Sequence, residues 1–137
     1  MSNIIASALA INTGEKYTTS LTVNGHNLIA DELPQQNGKD LGPAPGDYVC
    51  MGLASCTAIT LRMYAERKQW AVNNISVKVT LVKGSEMSSG KNTFYCEVKL
   101  TGELTAEQEK RMMEIAKVCP IHRLLTKPSD VVTVMSE

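Results

Sequence analysis

The run Tyr48-Val49-Cys50-Met51-Gly52-Leu53-Ala54-Ser55-Cys56-Thr57-Ala58-Ile59-Thr60-Leu61 contains no charged residue. Pro43 and Pro45 stiffen the chain before it, and Asp47 complements the positive end of a helix. The pattern predicts a helix over Asp47–Lys68. Its first four turns are apolar nearly all round, which requires burial on most sides. Arg62 closes the run after 14 residues, too few to cross a bilayer. The last turns, Arg62 to Lys68, are amphipathic and cationic, as suits a helix C-terminus.

The segments around this helix read mostly as strands. Tyr17, Thr19, Leu21 and Val23 alternate with Thr18, Ser20 and Thr22, the period of a half-buried strand. Asn24-Gly25 is a strong hairpin signal, with His26–Ala30 as the returning strand. His26 reads as a solvated hairpin residue, and Asp31-Glu32 as solvated loop acids. Ile75, Val77, Val79 and Leu81 alternate, as do Phe94, Cys96, Val98 and Leu100. The Gly- and Ser-rich linker Lys83–Asn92 predicts an antiparallel hairpin with a mobile tip. Thr105-Ala106-Glu107-Gln108 fits a capping box. In the helix it opens, Met112, Ile115, Ala116 and Cys119 share a face. Pro120 breaks that helix and opens a short one through Leu125. Val131–Met135 reads as a last strand. The order is that of an α+β protein, and 137 residues without an internal repeat predict a single domain over 1–137.

Composition narrows the function. Fourteen basic residues balance 14 acidic ones, with no basic stripe to hold phosphates, so nucleic acid is not an expected partner. Aromatics are only 4% of the chain, which disfavours base-stacking platforms. Met1–Ala10 lacks the basic and apolar regions of a signal peptide. The expected compartment is the cytosol, with no membrane partner. Paired cysteines there tend to be catalytic, redox-sensing or metal-binding.

The four cysteines have different addresses. Cys96 shares an inward strand face with Phe94 and Val98 and reads as a small core hydrophobe. Cys50 lies about 120° around the helix from Cys56 and also reads as core. Cys56 fits either an Ala/Ser-rich packing seam or a functional thiol. Cys119 stands where a new helix begins, a position that favours thiolate, with His122 and Arg123 close by. Cys-x-x-Cys, Gly-rich phosphate loops and Gly-x-Ser-x-Gly are absent. Cys119-x-x-His122 has no second close pair to complete a zinc site.

Ala30-Asp31-Glu32, Gly42-Pro43-Ala44-Pro45-Gly46-Asp47-Tyr48, Leu53-Ala54-Ser55-Cys56-Thr57-Ala58, Leu61–Lys68 and Cys119-Pro120-Ile121-His122-Arg123 resemble the OsmC/Ohr family. This is the osmotically induced protein and organic hydroperoxide resistance superfamily, and the nearest branch is its OsmC-like redox proteins. The resemblance implies an OsmC-like fold, with antiparallel β-sheets around central helices in an intertwined homodimer. It also implies a thiol peroxidase without metal, flavin or other cofactor. Cys56 matches the peroxidatic cysteine and Cys119 the resolving one. They would form a disulfide after peroxide attack, and an external dithiol would reduce it. The partners so implied are a small peroxide, organic or hydrogen peroxide, and a dithiol reductant.

Two positions depart from the family. Its reductases activate the nucleophile with an N-terminal arginine and a glutamate about ten residues ahead of the cysteine. No arginine precedes Arg62 here, and the glutamate's position falls on Gly46, beside Asp47. Lys16 and Asp47 are the candidate replacements, and Asp47 joins Cys56 and Cys119 in the expected catalytic set. A non-enzymatic redox sensor or small-ligand-binding protein on the same scaffold is the alternative. A third possibility is a dimer whose cysteines are wholly structural.

Overall fold

A computed structural model describes residues 3–84 and 90–136 of the chain. The tip of the hairpin expected over Lys83–Asn92 lies partly outside the described residues. The chain forms two compact units, Met1–Val49 and Cys50–Glu137.

In the first unit, β1 (Leu9–Ile11), β2 (Thr19–Val23) and β3 (His26–Ala30) form an antiparallel meander in the order β1-β2-β3. Strand β1 had no clear alternation and was not legible from sequence. Asn24 and Gly25 both take positive φ, 48° and 81°. That is the paired left-handed geometry of a tight hairpin turn, which Asn-Gly adopts at least cost. Val23 accordingly pairs with His26.

Asp31, expected as a solvated loop acid, is instead buried. Its carboxylate accepts hydrogen bonds from the Thr18 hydroxyl at 2.8 Å and from the backbone N–H groups of Glu32 (2.7 Å), Leu41 (3.2 Å) and Lys39 (3.5 Å). One side chain thereby organises the loop that leads from β3 to the long helix. Burial alone would push this carboxyl up, but the four hydrogen bonds outweigh it and hold the group below its ordinary value.

Helix α1 (Pro45–Lys68) starts two residues earlier than expected, with proline at the position where its missing N–H costs nothing. It continues into the second unit, which also holds β4 (Ala71–Val82), β5 (Thr93–Glu103), α2 (Ala106–Ala116) and α3 (Pro120–Thr126). Strands β4 and β5 pair antiparallel with a bulge between Val72 and Asn74. Opposite the bulge sits Gly102 at φ 136°, where an added Cβ would lie 2.2 Å from the Ala71 carbonyl oxygen. Arg62 closes α1 onto this strand start, donating to the carbonyls of Val72 (2.7 Å) and Asn73 (2.8 Å).

The core joins Leu61, Tyr64 and Ala65 of α1 to Val72 of β4 and to Met112, Ile115 and Ala116 of α2. Trp70, Ile75, Val98, Leu100 and Leu104 pack around it. Tyr64 meets Trp70 edge-on, ring centroids 5.5 Å apart. The predicted capping box is present: the Thr105 hydroxyl accepts from Gln108 N–H at 3.1 Å, and the Gln108 side chain accepts from Thr105 N–H at 2.9 Å.

Four expectations are corrected. Helix α1 buries one stripe, Leu53, Thr57, Leu61, Tyr64 and Ala65, and not most of its surface. Met51, Ile59 and Met63 are exposed, since this unit supplies packing elements on one side only. Cys119 lies beyond the end of α2, which stops at Ala116 in a turn closed by Lys117 N–H to Glu114 O and Val118 N–H to Ile115 O. Val131–Met135 forms no strand. Its alternation suits a β-ladder, but a strand needs an edge to pair with, and these side chains stand in solvent. Cys96, expected in the core, is exposed. No helix among the described residues is long and apolar enough to cross a membrane.

Two stability outcomes are expected. Leu61 is fully buried, so Leu61→Ala should cost about 2–5 kcal/mol in urea unfolding. Because Asp31 titrates lower in the folded chain, its contribution is complete above the ordinary carboxyl value and is lost as pH falls through the folded one. Asp31→Asn should therefore lower the urea midpoint at neutral pH and flatten its decline toward about pH 3.

Candidate functional site

The buried stripe of α1 fixes where its neighbours point. Thr57 lies on the stripe, and Cys56, one residue earlier, sits on its flank, half-buried. Cys119 approaches from the other direction, in the turn between α2 and α3, with φ −56° and ψ 134°. Pro120 enforces this extended geometry, since it disfavours helical backbone in the residue before it. Cys119 is thus the N-cap of α3 and is completely buried.

The Cys56 and Cys119 thiols are near neighbours, close enough that each shifts the other's titration. All four cysteines are free thiols in this structure. The donors around the pair are unevenly shared. His122 N–H reaches Cys119 Sγ at 3.5 Å, and Ile121 N–H is within reach of both sulfurs. The Thr60 hydroxyl serves Cys56. The Thr57 hydroxyl is 2.8 Å from the Leu53 carbonyl and also within reach of Cys119. It has one proton, so it donates to one of these at a time.

This arrangement separates the two thiols. Burial pushes Cys56 up, and its Cys119 partner pushes it further; Ile121 and Thr60 only partly offset that. Burial acts upward on Cys119 too, but the Cys56 S–H, the His122 amide, the Thr57 hydroxyl and the Ile121 amide outweigh it, so Cys119 lies below the ordinary thiol value. The pair's first negative charge therefore rests mainly on Cys119, with Cys56 as the S–H donor. Titration of such a pair belongs to both sulfurs jointly.

A cavity of about 390 Å³ is lined by Thr57 and His122, which neighbour the pair, but by neither Cys56 nor Cys119. Leu53, Phe94, Val98, Met113 and Leu125 give it an apolar wall, and Thr57, Cys96 and His122 also line it. Cys96 does share the face of Val98 and Leu100, as its alternation predicts. It is exposed because the core ends beside Val98 and the cavity opens over the next inward position.

Two of the other sequence candidates, Asp47 and Lys16, belong to the first unit. Asp47 is in the first turn of α1 and exposed, its carboxylate accepting from the Ala44 N–H at 3.0 Å. That is the return half of a capping box, a helix-start role. Lys16 is exposed in the first unit. The Arg123 side chain is exposed as well, and its N–H donates to the Cys119 carbonyl at 3.1 Å. Cys119 is stabilised by backbone amides and hydroxyls, and the only sequence signal for them was the cysteine–proline helix start. Among the described residues, no three His, Cys, Asp or Glu side chains converge as metal ligands.

A family model described as OsmC-like protein matches residues 38–134. A search of curated proteins gave no match. The chain is similar in fold to an OsmC-like protein from Mycoplasma pneumoniae, at TM-score 0.73 and 19% identity, covering 91% of this chain and 89% of that one. It is also similar to an organic hydroperoxide resistance protein OsmC from Legionella pneumophila (TM-score 0.59, 19% identity, 91% of each chain). A third similar structure is the organic hydroperoxide resistance protein OhrB of Bacillus subtilis (TM-score 0.58, 18% identity, 88% and 90% covered).

Cross-dependence of the thiols is the measurable consequence. Cys56→Ala removes an S–H donor and should move the Cys119 titration upward. Cys119→Ala removes one cause of the raised Cys56 value and should move Cys56 downward. The pH dependence of iodoacetamide alkylation, read peptide by peptide in a mass spectrometer, checks both directions.

Proposed function

Because the chain belongs to the OsmC-like protein family, we propose that it is a thiol-dependent peroxidase acting on organic hydroperoxides or hydrogen peroxide. The observation that carries this reading is the neighbouring Cys56–Cys119 thiol pair, next to which Thr57 and His122 line an apolar cavity. The names of similar structures, organic hydroperoxide resistance proteins among them, support a role in peroxide defence.

In this reading Cys56 is the attacking sulfur, since it is only half-buried while Cys119 is sealed. Its proton passes to the neighbouring Cys119, which acts as the internal base. The Cys56 thiolate attacks one peroxide oxygen. An S–O bond forms, the O–O bond breaks, and the leaving oxygen departs as an alcohol or as water after taking a proton. Cys56 is then a sulfenic acid. Cys119, deprotonated again, attacks the Cys56 sulfur, the hydroxyl leaves as water, and a disulfide forms. Two thiols have lost two electrons and the peroxide has gained them. An external dithiol restores the pair by exchange. Four free thiols suit a reducing compartment, the cytosol in this proposal.

The working form is a homodimer. Met51, Ile59 and Met63 are exposed apolar residues on a helix whose first turns are almost wholly apolar, and a second copy would bury them. Asp47, in this reading, holds the start of α1 and is not the missing activator.

A second reading, a redox sensor or small-ligand-binding protein, is favoured by the raised Cys56 thiol and the cavity. Peroxide kinetics separate the two. For a peroxidase, cumene hydroperoxide should be consumed with dithiol present, and Cys56→Ser should abolish it. In Cys119→Ser, the Cys56 sulfenic acid should accumulate and be trapped by dimedone. Wild-type turnover by Cys56→Ser would overturn the peroxidase reading. Independently, the double substitution Ile59→Glu, Met63→Glu should shift sedimentation from dimer to monomer.

A further inference from the structure

The geometry points to Cys96 as a third redox thiol, one that takes the sulfur link from the buried pair and presents it to the external reductant. This inference rests on the disulfide chemistry proposed for Cys56 and Cys119.

The buried pair poses a problem of access. Thiol–disulfide exchange requires a thiolate to reach a sulfur of the disulfide along the S–S axis. Cys119 is completely buried and Cys56 is half-buried, so a dithiol carried by a protein meets little exposed sulfur there. Cys96 is exposed. It lines the same cavity as Thr57 and His122, the residues whose hydroxyl and amide reach Cys119. Strand β5 holds it rigidly in place: the inward positions Val98 and Leu100 pack on the core, and Cys96 is the next position along that face. The cavity therefore connects an exposed sulfur with the immediate surroundings of a buried one.

Electrostatics gives this arrangement a direction. In the reduced protein, burial pushes the Cys96 thiol up, and the charges of Cys119 and Cys50 push it further. When Cys119 enters a disulfide its charge disappears, and Cys96 ionises more readily just when a thiolate is needed. Cys96 then attacks Cys119 Sγ. The Cys96–Cys119 bond forms, the Cys56–Cys119 bond breaks, and Cys56 leaves as a thiolate that takes up the proton Cys96 released. No electrons are gained or lost in this step. A thiolate of the external dithiol next attacks the exposed Cys96 sulfur. Cys119 is the leaving group, and the amides that stabilise its charge make it a good one. The second thiol of the dithiol resolves the mixed disulfide, which frees Cys96 and carries away the two electrons' worth of oxidation as a new disulfide.

The test begins with diamide, which oxidises thiols with no peroxide step. The full-length protein is oxidised, acid-quenched and digested, and its disulfides are mapped by mass spectrometry. Oxidised samples are also treated with the monothiol glutathione, and its mixed-disulfide adduct is located. The expected result is a Cys96–Cys119 peptide alongside Cys56–Cys119, with the adduct on Cys96. Reduction of oxidised Cys96→Ser by thioredoxin, a protein dithiol, should be about tenfold slower than for the native sequence, since no exposed sulfur joins the link. A Cys56–Cys119 link with no Cys96 peptide or adduct, and with Cys96→Ser reduced at the native rate, would overturn the relay alone. Absence of any Cys56–Cys119 link under diamide would overturn the disulfide reading itself, and the relay with it. The adduct map is made on the native sequence, so it decides the matter even if Cys96→Ser folds poorly.

Discussion

Two neighbouring sulfurs, one on the flank of a helix and one at the start of another, underlie the chemistry proposed for this protein. Each partner is placed by a different rule. Cys56 is set by helical period, one residue from the stripe that α1 buries. Cys119 is set by chain breakage, because Pro120 ends one helical path and starts another. Neither placement tolerates much slippage. One residue along α1 rotates a side chain by about 100°, and a helix continued through Cys119 would leave its sulfur without the free amides of an N-cap.

The second unit is arranged to hold these two points still. Leu61, Tyr64 and Ala65 lock α1 to α2 through Met112 and Ile115, and the carbonyls at the start of β4 receive the Arg62 guanidinium. The early stop of α2 at Ala116 is part of the same arrangement. Had the helix run on to residue 119, the i, i+3, i+4, i+7 face would have buried Cys119 as an ordinary core thiol. Instead Ala116 completes the core and the turn that follows releases Cys119 into an extended conformation. The thiol remains buried, but with donors pointed at it.

Much of this was readable in the residues. Asn24-Gly25, the Thr105 capping box, the two long alternating strands and the proline-led helix starts each encode local geometry strongly enough to survive folding. What failed were inferences needing knowledge of what lies across from a residue. Asp31 looked like a solvated acid because nothing in a linear pattern shows that Thr18 and three amides will converge on it. Cys96 was given its correct face and the wrong burial, since alternation reports direction and not where a core ends. The all-round apolar character of α1 implies burial on most sides, yet this unit buries only one stripe.

The missing arginine and glutamate become intelligible from the same hydrogen bonds. A thiolate needs compensation for lost water, and a cationic fork is only one source of it. Backbone amides of Ile121 and His122, with the Thr57 hydroxyl, supply partial positive charge to Cys119 without adding a titratable group. The difference matters for the reaction. An arginine beside the attacking sulfur would favour charge on that sulfur from the outset. Here charge favours Cys119, and in the proposed cycle Cys56 becomes a thiolate by passing its proton to Cys119. Such a pair keeps Cys56 protonated while Cys119 carries the charge, so the second step of the proposed cycle starts from the sulfur already favoured as thiolate.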